Sequence, residues 1–229
     1  MEYTENLAQV IIFDTSFILN GTLSDNRRRL DGIALLNRCR TINSLRNQGT
    51  IIPIGVKREL GSLIGDFVSP EAMEGKRLLS RVYQGVNNTE LNEDPFTAVL
   101  IRNIIRVSKE LSEKMDVVPL SDIDTYFCAQ CFYQLKSKNV VAVTRDSLIR
   151  DVLSYSFGIA HSYLLKNGAP DTSLYFARNE RELYELVMKA KNFRAFVNGA
   201  EFSNRDWSKD TRKASKKWVE FEDPKAIRA

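Results

Sequence analysis

Four acidic residues of this 229-residue chain stand where an apolar run gives way to polar chemistry or where a helix begins: Asp14, Glu59, Asp124 and Asp146. Asp14 closes Val10-Ile11-Ile12-Phe13 and precedes two hydroxyls, Thr15 and Ser16. Asp146 follows Val140-Val141-Ala142-Val143 across Thr144 and Arg145. Carboxylates gathered in one cleft raise one another's pKa, and hard divalent cations relieve that repulsion. All-oxygen donors favour Mg2+ or Mn2+. Singly, each residue has an ordinary alternative: Asp14, Asp124 and Asp146 as turn or cap residues, and Glu59 as a solvated glutamate complementing a helix dipole. Their common placement at strand-to-helix junctions favours a shared site, because right-handed crossovers bring such junctions to one edge of a parallel sheet.

The elements that must position them can be read from periodicity. Val10–Phe13 is a bounded apolar run suited to a strand covered on both faces, followed after Leu19 by a loop carrying Arg27-Arg28-Arg29, a solvated run or a phosphate contact. Leu30, Ile33, Leu36, Cys39, Ile42 and Leu45 recur at helical spacing, with Gly49 as the stop. Residues 50–56 predict a second short strand that Pro53 ends, with Glu59 in the first turns of the next helix. Pro70 opens a helix over 71–82, Gln84 to Thr89 reads as a loop, and Phe96 to Met115 supplies the apolar face of a long helix. Ser121 or Asp122 caps the helix through 125–132, with Asp124 in its first turn pointing elsewhere. Asn139–Val143 is another strand, Leu148 to Tyr155 a helix, Gly158 to Leu164 an edge strand, and 179–193 a closing helix capped by Asn179. The expected fold class is α/β: a three-layer fold whose central, mostly parallel twisted sheet is flanked by helices.

Composition permits this without demanding it. With 43% hydrophobic residues the chain can bury a substantial core, and 33 Lys+Arg against 29 Asp+Glu leave only +4, so nucleic-acid affinity must come from local clustering. No apolar stretch has signal-peptide or membrane-span length, which leads to the expectation of an intracellular protein, cytoplasmic or nuclear. Cys39, Cys128 and Cys131 are too few for a disulfide framework. A Cys3His zinc site with His161 is disfavoured because Cys128 and Cys131 lie within a helical pattern, and His161 has no nearby catalytic partner in sequence. The segment 198–229 changes character. It holds eight Lys+Arg and six Asp+Glu, and within Arg205 to Lys217 six basic residues face two acidic ones. Lys209, Arg212, Lys213, Lys216 and Lys217, interleaved with Trp207 and Trp218, could bind single strands through phosphate contacts and base stacking; the alternative is an unstructured terminus or an arm packed back by its tryptophans. Two regions follow, 1–197 as the α/β domain and 198–229 as a basic tail.

Four short motifs, in order, resemble those of PIN-domain nucleases: Asp14-Thr15-Ser16, Ile52-Pro53-Ile54-Gly55-Val56-Lys57-Arg58-Glu59-Leu60, Asp124 with its helix, and Val143-Thr144-Arg145-Asp146. The likeness covers roughly residues 8 to 165, and the run with Thr144, Asp146 and Arg150 is most similar to eukaryotic RNA-decay endonucleases. The long Glu59-to-Asp124 interval and the tail depart from the pattern. The resemblance implies metal-dependent endonucleolytic hydrolysis of single-stranded RNA. One or two Mg2+ or Mn2+ ions held by Asp14, Glu59, Asp124 and Asp146 would activate water and stabilise the leaving 3' oxygen. Asp122 is an alternate ligand, though its position also suits a cap. Ser16 and Thr144 would support the ligands or touch phosphate, unless they only cap and turn, and Arg145 would join the tail in binding RNA. Protein partners through the tail fit the same picture. The competing readings are a non-cutting RNA- or protein-binding module of the same family, and a phosphotransfer protein with a nucleophilic aspartate. The latter is disfavoured because Ser16 stands where a haloacid-dehalogenase-type site needs its second aspartate.

Overall fold

A computed structural model describes residues 9–19, 32–65, 67–85, 91 and 95–189. In chain order the elements are β1 (Gln9–Phe13), α1 (Thr15–Leu19), α2 (Gly32–Ser44), a 3-10 turn (Arg46–Gln48), β2 (Thr50–Ile51), α3 (Ile54–Ile64), α4 (Pro70–Gly85), α5 (Pro95–Met115), α6 (Asp122–Gln134), β3 (Asn139–Val143), α7 (Ser147–Lys166), β4 (Leu174–Ala177) and α8 (Glu180–Lys189). The expected sites at Arg27–Arg29, in the 86–90 loop, at 190–193 and in the tail, including Trp207, Lys209, Arg212, Lys213, Lys216, Lys217 and Trp218, lie outside the described residues.

The α/β class expected from periodicity is what the chain adopts. Among the described residues four strands pair in parallel in the order β2-β1-β3-β4. In β1 and β3 four consecutive residues are buried, Val10–Phe13 and Val140–Val143, so neither face reaches water and helices must cover both. The core extends from these strands through Phe17, Leu35, Ile42, Leu60, Leu79, Ile104, Phe127, Phe132 and Val152. The chain runs from β1 outward to β2 on one side, then returns to place β3 and β4 on the other. The order therefore reverses between β1 and β3, and in open α/β sheets the crevice outside the carboxyl ends at such a switch point is where ligands bind.

Local chemistry explains most boundaries. Gly49 adopts φ 78° after the 3-10 turn, and its neighbourhood is close: a methyl group there would lie 2.8 Å from the Gln9 carbonyl oxygen, while the Gly49 carbonyl accepts from Ile11 N–H at 3.2 Å. Gly49→Ala combines left-handed backbone with that collision, so it should destabilise the fold by more than ~1 kcal/mol, read as a lowered urea midpoint.

Three expectations need correction. Ile54-Gly55-Val56 belongs to α3 and not to the second strand: Pro53 has extended ψ and its carbonyl accepts from Lys57 N–H at 2.9 Å, so the helix starts directly behind the proline. Gly158 to Leu164 continues α7, because Tyr155, Ile159, Ala160 and Leu164 fall on one buried helical face while Gly158 faces solvent. The edge strand is Leu174–Ala177, whose four residues are too few to register as a pattern in sequence. Finally, Ser121 is the N-cap of α6, and Asp124 does not point elsewhere but completes the cap, as described below.

Candidate functional site

Parallel pairing of β1 with β3 sets Phe13 opposite Val143, and Asp14 N–H donates to the Val143 carbonyl at 3.0 Å. The next residues of both strands, Asp14 and Thr144, are thereby delivered side by side at the switch point. Asp14 is 1% exposed, and its Oδ2 accepts three hydrogen bonds: from Thr144 Oγ1 at 2.8 Å, from Ser16 N–H at 3.2 Å and from Ser16 Oγ. The two hydroxyls are 3.1 Å apart, but each has one proton and both protons go to Asp14. Their lone pairs accept from Arg145 N–H at 3.0 Å and Asp146 N–H at 3.1 Å. Backbone donors of the 145–146 turn thus feed through Ser16 and Thr144 into a single carboxylate oxygen, an arrangement in which each bond polarises the next. Ser16 and Thr144 therefore both support the Asp14 carboxylate.

Burial still prevails over these bonds. Desolvation, opposed by the Ser16 and Thr144 hydrogen bonds and reinforced by the charge of Asp124, raises the Asp14 carboxyl from 3.8 to about 6.

Each of the other three carboxylates is tethered by one oxygen. Asp146 caps α7, its Oδ1 accepting from Ile149 N–H at 3.1 Å. Asp124 forms a capping box with Ser121: Asp124 N–H donates to Ser121 Oγ, and Asp124 Oδ2 accepts from Ser121 N–H at 3.2 Å and Ser121 Oγ at 2.7 Å. Upstream, Leu120 N–H bonds Ser108 Oγ of α5 at 2.8 Å and so pins the start of this helix. Glu59 lies in the second turn of α3, and its Oε2 accepts from Thr15 Oγ1. One turn earlier, Gly55 of α3 faces Ile123 of α6, where an added Cβ would be at ordinary contact distance, 3.4 Å from the Ile123 side chain.

Electrostatics ties the four together. Burial first, then the charges of Asp146 and Glu59, raise Asp124 against its Ser121 bonds. Asp14 in turn feels Asp124. Asp122 is exposed at the first position of α6 and enters none of the interactions described above. Arg145 is partly buried beside Ser16, placed there by its backbone bond.

The carboxylates stand within electrostatic reach without closing on one point: among the described residues no three His, Cys, Asp or Glu side chains form a metal-holding group. The chemistry of the donor set nevertheless suits a hard divalent cation. The bonds described above occupy one oxygen of each carboxylate, Oδ2 of Asp14, Oε2 of Glu59, Oδ2 of Asp124 and Oδ1 of Asp146, and leave its partner outside them. The thiols do not join this set. Burial, then the neighbouring charges, pushes Cys128 and Cys131 well up, and burial pushes Cys39 up to about 12, so all three are protonated, buried thiols. His161 lies in α7, stacked on Phe157 at 5.0 Å with Nε2 3.1 Å from Asp171, a residue the sequence reading does not pair with it.

One contact here is hidden from the sequence and one is visible in it. Thr15 stands out in the sequence only as part of Asp14-Thr15-Ser16, because its partner Glu59 is 44 residues away and nothing local reveals the bond. The cap at Asp124, the ordinary alternative that the sequence offers for this residue, is visible there because an acidic residue three places after a serine is the signature of a capping box.

Fold and site together define a parallel α/β protein with an acidic cluster at the switch point of its sheet. No family model, curated protein or solved structure matches the chain.

Proposed function

We propose that this protein is a metal-dependent endoribonuclease of the PIN type, acting on phosphodiester bonds of single-stranded RNA with Asp14, Glu59, Asp124 and Asp146 as its metal ligands. What carries the reading is one juxtaposition: a 1%-exposed aspartate, raised to about 6, held by Thr144 of the neighbouring strand and sensing a second carboxylate at the switch point. A structural cap would lie on the surface with its charge solvated. Asp14 is buried, close to like charge and without a basic partner among its hydrogen bonds, an arrangement that a cation relieves.

A bound Mg2+ or Mn2+ supplies Lewis acidity to the phosphodiester and acidity to a water molecule. The chain's own contribution is geometry. Ser16 and Thr144 hold Asp14, the α6 capping box holds Asp124, and the α7 cap holds Asp146, each through one carboxylate oxygen, so side-chain freedom at the site is already reduced before an ion would bind. Arg145, next to the site, and the basic tail supply cations for the RNA backbone. Water adds to phosphorus, the P–O3' bond breaks, and the products are a 3' hydroxyl and a 5' phosphate.

The test is cleavage of an unstructured RNA by the purified chain with Mn2+ or Mg2+, with chelator and with Asp124→Asn as controls. Cleavage that needs the ion and is lost in the variant is the expected result. Equal residual cleavage by wild type and variant would mark a contaminant and leave an RNA- or protein-binding module of the same fold.

A further inference from the structure

We infer that Thr15 is a positioning residue that aims Glu59 at the other three carboxylates; this rests on the metal-site reading above. The two hydroxyls after Asp14 have different destinations. Ser16 turns back to Asp14, while Thr15 Oγ1 crosses to α3 and donates to Glu59 Oε2. Glu59 needs such a tether more than its partners do. Asp14 is fixed by strand pairing, and Asp124 and Asp146 are fixed by capping their own helices within three residues. Glu59 is mid-helix, its side chain has one more rotatable bond than an aspartate, and the Thr15 bond is its one side-chain hydrogen bond among the described residues. Thr15 itself is buried at the first position of α1, directly after Asp14, so it moves with the strand end that carries the innermost ligand. With Oε2 held there, Oε1 is left outside the bond, and the Asp124 carboxyl registers the Glu59 charge. The β1–α1 junction therefore sets two ligands at once, one by its backbone and one through this hydroxyl.

The experiment is titration of the full chain with Mn2+ alone, followed by calorimetry, for wild type, Thr15→Val, Thr15→Ser, Glu59→Gln and the Thr15→Val/Glu59→Gln double variant. Loss of an outer partner of a metal ligand costs about 10- to 100-fold in affinity, which is the drop expected for Thr15→Val, with Thr15→Ser close to wild type. The double variant should bind no more weakly than Glu59→Gln alone, because the two side chains act as one unit. Should valine prevent folding, Thr15→Ser against Thr15→Ala isolates the same hydroxyl. Wild-type affinity in the variants lacking the hydroxyl, a serine variant as weak as valine, or additive losses would overturn the role of Thr15 while leaving the metal site intact. A wild-type chain that takes up no Mn2+ would overturn the metal reading and this inference with it.

Discussion

Asp14→Asn should abolish metal-dependent RNA cleavage and, in the metal-free protein at neutral pH, raise stability. The two effects have one origin. Asp14 is the most buried of the four carboxylates, and the loss of a ligand should exceed the ~10- to 100-fold that loss of an outer partner costs. The asparagine carbonyl can still accept from Thr144 and Ser16, so the local network survives the change. What disappears is a charge that the folded state holds at a disadvantage. Because burial raises the carboxyl from 3.8 to about 6, the folded chain binds this proton more tightly than the unfolded one. Its contribution to stability is therefore fully present below pH ~4 and is lost as pH rises through about 6, by roughly 3 kcal/mol. Urea titrations of both chains without metal, at pH 4 and pH 7, provide the check. Wild type should lose stability across that window by up to this amount more than Asp14→Asn does, and divalent ions should restore it to wild type only. An asparagine variant that is the less stable of the two at pH 7 would mean that Asp14 is a structural anchor and not a strained ligand.

Phe13→Ala should cost about 3–5 kcal/mol and lose cleavage through unfolding and not through chemistry. Phe13 is fully buried, packs against Phe17 with ring centroids 5.5 Å apart, and pairs with Val143 in the register that sets Asp14 beside Thr144. Truncation leaves a cavity between the sheet and α1 at the very residue preceding the site. Denaturant unfolding gives the loss directly. At temperatures where the variant remains folded it should still bind Mn2+, since no ligand has been removed. A change below about 1 kcal/mol would show that the sheet edge near the site is far less tightly packed than its burial indicates.

How much of this was legible beforehand differs from residue to residue. Residues 9–13 and 139–143 announce themselves as strands because both faces are covered, and a strand covered on both faces must be an unbroken apolar run. The long helices α5 and α7 are equally plain at their starts, from apolar spacing and from the Asp146 cap. Short elements were not: β4 has four residues, and Ile54-Gly55-Val56 is apolar enough to pass for strand until Pro53 is seen capping a helix. Gly158 inside α7 similarly reads as a break, although on a solvent-facing position a helix tolerates it at a cost of about 1 kcal/mol.

By itself, then, the amino-acid sequence determined the α/β class and pointed to the carboxylates of the candidate site, since composition of a strand and of its terminating residue are local properties. The tertiary structure alone decided which of those residues meet. The parallel β1–β3 register brings Thr144 to Asp14 across 130 positions, Thr15 reaches Glu59 across 44, and Asp122 is left in solvent while Asp124 turns inward on its cap. Register and helix docking are set by burying whole faces at once, and no single segment carries the information about which partner it will face.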